Sequence, residues 1–244
     1  MRVVLAIVAV AVFAAAAVLA STVRPSAATA PQIAVARHTA VPREVTDVRA
    51  DPAAHGPASD PERLGSGRAR AVAVRGLALP IEGAALPTDP ELLPGAPRTY
   101  RAGYHEGIDF PAATGTPVLA VADGIVLRVD SGFVDWTVDD QAKALSEAAA
   151  LGYTPAATLD GLRGRQVWID HGRGIVSRYA HLSAVAPLAV GAHVERGQTI
   201  GAVGNSGYEE GGPHLHMEVR VGESYLGEDL AGDALSAAVA RAFD

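Results

Sequence analysis

The stretch "GGPHLHMEVR", Gly211 to Arg220, sets two of the chain's eight histidines two residues apart. The residues after them favour a strand, and on a strand side chains two apart leave the same face. His214 and His216 could therefore serve one site, as two metal ligands or as one ligand and one proton-transfer group. Spacing alone does not say which of the two would hold a metal. A second cluster lies in "YHEGIDFPAATGTPVLAV", where His105 and Asp109 stand four apart with Gly107 between them. An offset of four places both on one face of a strand, and nearly so on a helix, so the pair can chelate in either form. It is not the helical HExxH motif, because position 109 holds aspartate rather than a second histidine. His181 ends the strand-like run "SRYAHLS". A catalytic zinc site usually takes three protein ligands and keeps a fourth position open, and histidines beside it can move protons near neutral pH. His105, Asp109, His181, His214 and His216 supply that inventory.

The chain has no cysteine, so disulfide scaffolds, zinc fingers and thiol nucleophiles are excluded. Any metal must be held by histidine or carboxylate. A formal net charge of -7 argues against a nucleic-acid-binding surface, which would normally be basic.

Short β-branched runs punctuated by glycine surround the candidate residues: "TPVLAVADGIVLRV", "RQVWIDHG", "GIVSRYAHLS", "AHVERGQTIGAVG" and "HLHMEVRVG". Many short strands with Gly and Asp-Gly turns predict a mainly antiparallel β domain. One segment departs from the pattern. "VDDQAKALSEAAALGYTP" has helix formers from Asp139 to Leu151, Gly152 as a terminator and Pro155 beyond, and it predicts a helical insertion over 130–162. Such an insertion is expected to shape one end of a groove rather than to support the core. The tail, 229–244, predicts a closing helix.

Upstream, Val3 to Ala20 are uninterruptedly apolar, which predicts a signal peptide or membrane anchor within residues 1–30 and export of the remainder. Residues 31–75 turn to Ala, Pro, Arg and Asp with poor apolar periodicity, as in a flexible spacer; His38 and His55 within it are read as solvated bystanders.

The blocks "HEGIDFPAATGTPVLAVADGIV", "WIDHGRGIVSRYAHLS", "GAHVERGQTIGAVGNSG" and "GPHLHMEV" resemble, in order, those of the lysostaphin-like (LytM-type) zinc metallopeptidases, which are peptidoglycan endopeptidases. The resemblance runs over roughly 80–222, within an expected peptidase domain of 76–228. It implies one zinc ion held by His105, Asp109 and His216, with His181 and His214 in catalysis. It also implies a groove-bearing antiparallel fold, a barrel-sandwich hybrid, and peptidoglycan peptides as substrate. Two departures are visible: Met217 replaces a frequent phenylalanine, and "YEEGG" leads into the histidine pair. A second reading is a module that has lost catalysis and regulates other wall hydrolases, but all five histidine and aspartate positions are present. A lipoyl- or biotinyl-carrier reading of "AHVERGQTIGAVG" fails, since the only lysine, Lys143, lies in the insertion. His171 is expected to support the framework or the site from behind, and His193 to sit in a surface turn. Tyr100 and Tyr104 are expected to line the cleft.

Overall fold

The computed structural model describes residues 74–244. The expected leader and nearly all of the spacer, with His38 and His55, lie outside them. In chain order the strands are β1 (Pro97–Arg98), β2 (Gly103–Tyr104), β3 (Ile108–Pro111), β4 (Pro117–Leu119) and β5 (Gly124–Asp130). Helices α1 (Val138–Leu151) and α2 (Ala156–Arg163) precede β6 (Gln166–Asp170), β7 (Ile175–Ala180), β8 (Leu182–Val185) and β9 (His193–Val194). β10 (Thr199–Val203), β11 (His214–Val221), β12 (Ser224–Tyr225) and α3 (Gly232–Ala242) complete the chain. The fold is mainly antiparallel β with a few helices, as the sequence predicts.

The larger sheet runs β12-β11-β7-β6-β5-β9, with β3 also paired to β11; β4, β10 and β8 form a second sheet. β11 is the strand that matters for function. Its apolar residues Leu215, Met217 and Val219 are buried in the core with Val167, Ile169 and Tyr179 of the same sheet and Val118, Leu182 and Ile200 of the other. Each such side chain contributes about 1.5–3 kcal/mol by leaving water. The alternate residues His214, His216, Glu218 and Arg220 then share the opposite face. Because a one-residue slip would exchange the two sets, core burial fixes the register of the histidines.

The helix expected over Asp139–Leu151 is α1, and its ends follow the expected chemistry. The Thr137 side chain caps the start by accepting from the Asp140 N–H at 3.1 Å, and Gly152 ends it with a left-handed φ of 73°. α2 was not anticipated: it is short, and Gly161 lies inside it. The insertion also braces the body, which the groove-wall expectation did not foresee. Asp135 accepts from the Gly207 N–H at 2.8 Å and pairs with Arg165 at 3.1 Å. Asp160 pairs bidentately with Arg128 of β5, both contacts at 2.7 Å. The Trp136 ring packs where a side chain on Gly161 would be.

His193 lies in β9, exposed and paired with Ile125, rather than in a turn. His171 is structural. Its Nδ1–H donates to the Asp123 carbonyl at 2.8 Å and its Nε2 meets Ser177 Oγ at 2.7 Å, which contacts the buried Tyr179 hydroxyl. Among the described residues no helix is long and apolar enough to cross a membrane.

Candidate active site

Three strands deliver the cluster. Antiparallel pairing of β3 with β11 sets Asp109 opposite His216, and pairing of β7 with β11 sets Ala180 opposite His216, so His181 follows at once. His105, at the entry to β3, is fixed by backbone bonds: its N–H donates to Ala96 O and its carbonyl accepts from Gly95 N–H. Gly107 between His105 and Asp109 is required by close approach. A Cβ there would lie 2.6 Å from the Met217 carbonyl oxygen and 2.8 Å from His216 Cε1. Gly107→Ala should therefore push the His216 ring aside, costing about 1–3 kcal/mol in stability and weakening metal binding. Denaturant unfolding and chelator competition would measure both, and unchanged values would show that the ring has room.

The five sequence-predicted residues come together on the floor of one cleft, of about 400 Å³. His105 Nε2, Asp109 Oδ1 and His216 Nδ1 form a triangle with sides of 2.9, 2.9 and 3.0 Å. The remaining ring nitrogens decide what these atoms carry. His105 Nδ1–H donates to Leu93 O at 2.9 Å, so its Nε2 keeps a lone pair. His216 Nε2 faces the buried carboxylate of Glu218 at 3.4 Å, which in the neutral ring places the proton there and leaves the lone pair on Nδ1. Asp109 is ionised: although burial opposes it, its close contacts with the His105 and His216 rings hold its pKa well below the usual value. Three electron-pair donors thus converge within hydrogen-bond distance, an arrangement that calls for a positive charge at its centre. His216 reports the same demand. Burial disfavours its charge, yet the Asp109 and Glu218 carboxylates outweigh it and raise its pKa to about 9, so a proton on Nδ1 supplies the positive charge that a bound metal would replace. Two imidazoles and a carboxylate are a donor set that fits a divalent metal.

His214 and His181 stand beside the triangle. His214 Nδ1–H donates to Gly212 O at 2.8 Å and His181 Nδ1–H to Ser206 O at 3.0 Å, so each presents a bare Nε2. Their ring centroids are 4.7 Å apart, and His214 Nε2 lies 3.8 Å from Asp109 Oδ1. Burial, reinforced by His214 and His216, lowers the pKa of His181 to about 3. The His181 backbone is left-handed, with φ 59°, a conformation that costs a residue with a Cβ about 1–3 kcal/mol. It is imposed by backbone bonds from His181 N–H to Arg163 O and from Leu182 N–H to Arg165 O, at 2.8 and 3.0 Å.

Other site residues escaped the sequence reading. Arg98 donates to Asp109 Oδ2 at 3.1 Å and so leaves Oδ1 for the cluster. Tyr208 stacks on Tyr100 at 4.7 Å, and both line the cleft, as do Leu159, Leu162 and Arg163 of the insertion. Tyr104 does not line it; its side of the hairpin faces solvent, and it is 63% exposed. Glu218 could have been found from the polar alternation in "HLHMEVR". Arg98, Arg163 and Tyr208 meet the site only through the fold.

The fold and the cluster define a β domain built around a candidate metal centre. Residues 103–227 match the family described as peptidase family M23. Over 125 residues the chain is 34% identical to the peptidoglycan DD-endopeptidase ShyA of Vibrio cholerae, covering 51% of this chain and 22% of that protein. It is 34% identical over 117 residues to the DD-carboxypeptidase/endopeptidase Mpg of Neisseria meningitidis, covering 48% and 20%. The catalytic domain of lysostaphin from Staphylococcus simulans aligns with 24% identity and a TM-score of 0.39, over 60% of this chain and 88% of that one. The chain spans about a fifth of the length of these two curated relatives. The family match takes in just over half of the sequence, and the chain belongs to peptidase family M23. The resemblance read from its four sequence blocks is thereby borne out.

Proposed function

We propose that the chain is an exported zinc-dependent endopeptidase that hydrolyses peptide bonds in the stems or cross-bridges of bacterial peptidoglycan. The observation that carries this reading is the triangle of His105 Nε2, Asp109 Oδ1 and His216 Nδ1 beside two histidines with bare Nε2 atoms. Two neutral imidazoles and one carboxylate, with no thiolate, are a zinc donor set that leaves a net positive centre. When bound, zinc supplies Lewis-acid polarisation of a carbonyl and acidification of water. The chain's own residues manage the protons. His181 and His214 each hold Nδ1–H on a backbone carbonyl, so Nε2 is the atom that accepts a proton from attacking water or returns one to the departing amine. Burial keeps His181 neutral. Arg98 and Glu218 hold Asp109 and His216 in orientation from behind. Tyr100, Tyr208 and the insertion residues Leu159 and Leu162 supply walls against which an extended peptide can lie.

The peptidoglycan substrate is supported by the names of two relatives, the peptidoglycan DD-endopeptidase ShyA and the DD-carboxypeptidase/endopeptidase Mpg. Export is supported by the apolar run Val3 to Ala20, since peptidoglycan lies outside the cytoplasmic membrane. In this reading residues 76–228 are the peptidase domain. Purified sacculi incubated with the full chain and zinc, analysed by mass spectrometry, test the proposal. Fragments released by peptide-bond hydrolysis, abolished by a chelator and restored by zinc, are expected. A folded, zinc-loaded protein that releases none would overturn it.

A further inference from the structure

Behind His216 lies a charge network that the proton chemistry does not use. Glu218 is 1% exposed, and a buried carboxylate persists only where cations and donors surround it. Its Oε1 accepts from Arg163 Nε at 2.6 Å and faces His216 Nε2 at 3.4 Å. Its Oε2 is served by Arg178 at 3.2 Å and Arg220 at 3.6 Å. The oxygen that faces the imidazole is therefore the one Arg163 pins. The other guanidinium arm of Arg163 reaches Glu106 Oε2 at 3.1 Å, on the residue next to His105. Arg163 ends α2, the last element of the helical insertion, and is itself only 6% exposed.

We propose that Arg163 is a positioning residue for the metal centre, acting through Glu218 to aim His216. The inference rests on the reading that His105, Asp109 and His216 hold a metal. With Oε1 fixed, the carboxylate holds the Nε2 edge of the His216 ring, and Nδ1 faces the triangle. Without Arg163, Glu218 keeps the arginines on its Oε2 side, and the oxygen opposite His216 loses its shortest contact. The insertion thereby couples to the metal through one guanidinium, in addition to walling the cleft.

Arg163→Met in the full chain tests this by zinc affinity, read by competition with a chromophoric chelator, and by the 15N shifts of the His216 ring. Loss of an outer partner of a metal-binding histidine typically weakens affinity about 10–100-fold, and a drop in that range with altered His216 ring shifts is expected. Glu218→Gln should give a similar drop, and adding Arg163→Met to it should cost less than about threefold more, because both act along one path. A purely structural arginine would lower the melting temperature while folded protein kept wild-type affinity and ring shifts; that result overturns the proposal. If Arg163→Met does not fold, Arg163→Lys decides on the same two readouts, since it keeps the charge and loses the Nε fork. Failure of the underlying site would look different: wild type itself, or His216→Ala, would fail to distinguish zinc-binding from zinc-free protein.

Discussion

His216→Ala and His105→Ala should each leave a folded chain that no longer retains zinc through desalting. Each removes one of three atoms that stand 2.9–3.0 Å apart, and a pair of donors holds a divalent ion far more weakly than three. The loss should exceed the ~10–100-fold that follows removal of an outer partner. Elemental analysis should fall from about one ion per chain to a small fraction, with endopeptidase activity falling alongside. Thermal stability gives an independent check. An ion present at ~100 times its dissociation constant adds about 2.7 kcal/mol, so a chelator should lower the melting point of wild type and barely move that of either variant. Full zinc occupancy in both variants would remove the ligand assignment.

How much of this was legible in the sequence follows from which contacts are local. The β11 histidines were legible because strand alternation is a period-two pattern, and "HLHMEVRV" puts apolar residues at every second place. α1 was legible because its stop signal, Gly152 with Pro155 beyond, is local chemistry. The pairing of Asp109 with His216 was not, since it depends on β3 and β11 meeting across 107 positions. Here only the resemblance to known blocks supplied the partner. α2 was missed because one glycine in eight residues masks a helix that tertiary contacts hold. Tyr104 was misplaced for a simpler reason: it lies on the solvent side of a two-residue strand, and no local signal marks the hairpin. Arg163 and Tyr208 had no local signal at all.

The insertion illustrates the same limit from the energetic side. Loop closure grows costly only slowly with length, so an added segment between β5 and β6 is tolerated wherever surface allows. That argument predicts a decoration. The buried Ala148, Thr158 and Arg163 and the Asp135 bond to Gly207 make part of the segment structural. Entropy permitted the insertion, and side-chain contacts then bound it to the site.

His181→Ala and His214→Ala should keep zinc and lose turnover, a separation that no other pair among the five predicted residues should show. Neither imidazole belongs to the triangle: His214 Nε2 stands 3.8 Å from Asp109 Oδ1, and the His181 ring centroid is 5.7 Å from that of His216. Positioned general acid–base groups contribute about 10²–10⁴-fold, so kcat should fall in that range for each variant. The double variant should fall little further, because the two act within one proton-transfer sequence. His181→Ala carries a second cost. It leaves the buried Ser206 carbonyl without its imidazole donor, worth about 1–3 kcal/mol, whereas His214→Ala frees a carbonyl that water can reach more readily. Activity must therefore be compared below the melting point of His181→Ala, with zinc content measured on the same samples. If His214→Ala loses zinc while His216→Ala keeps it, the two histidines of the pair have exchanged roles.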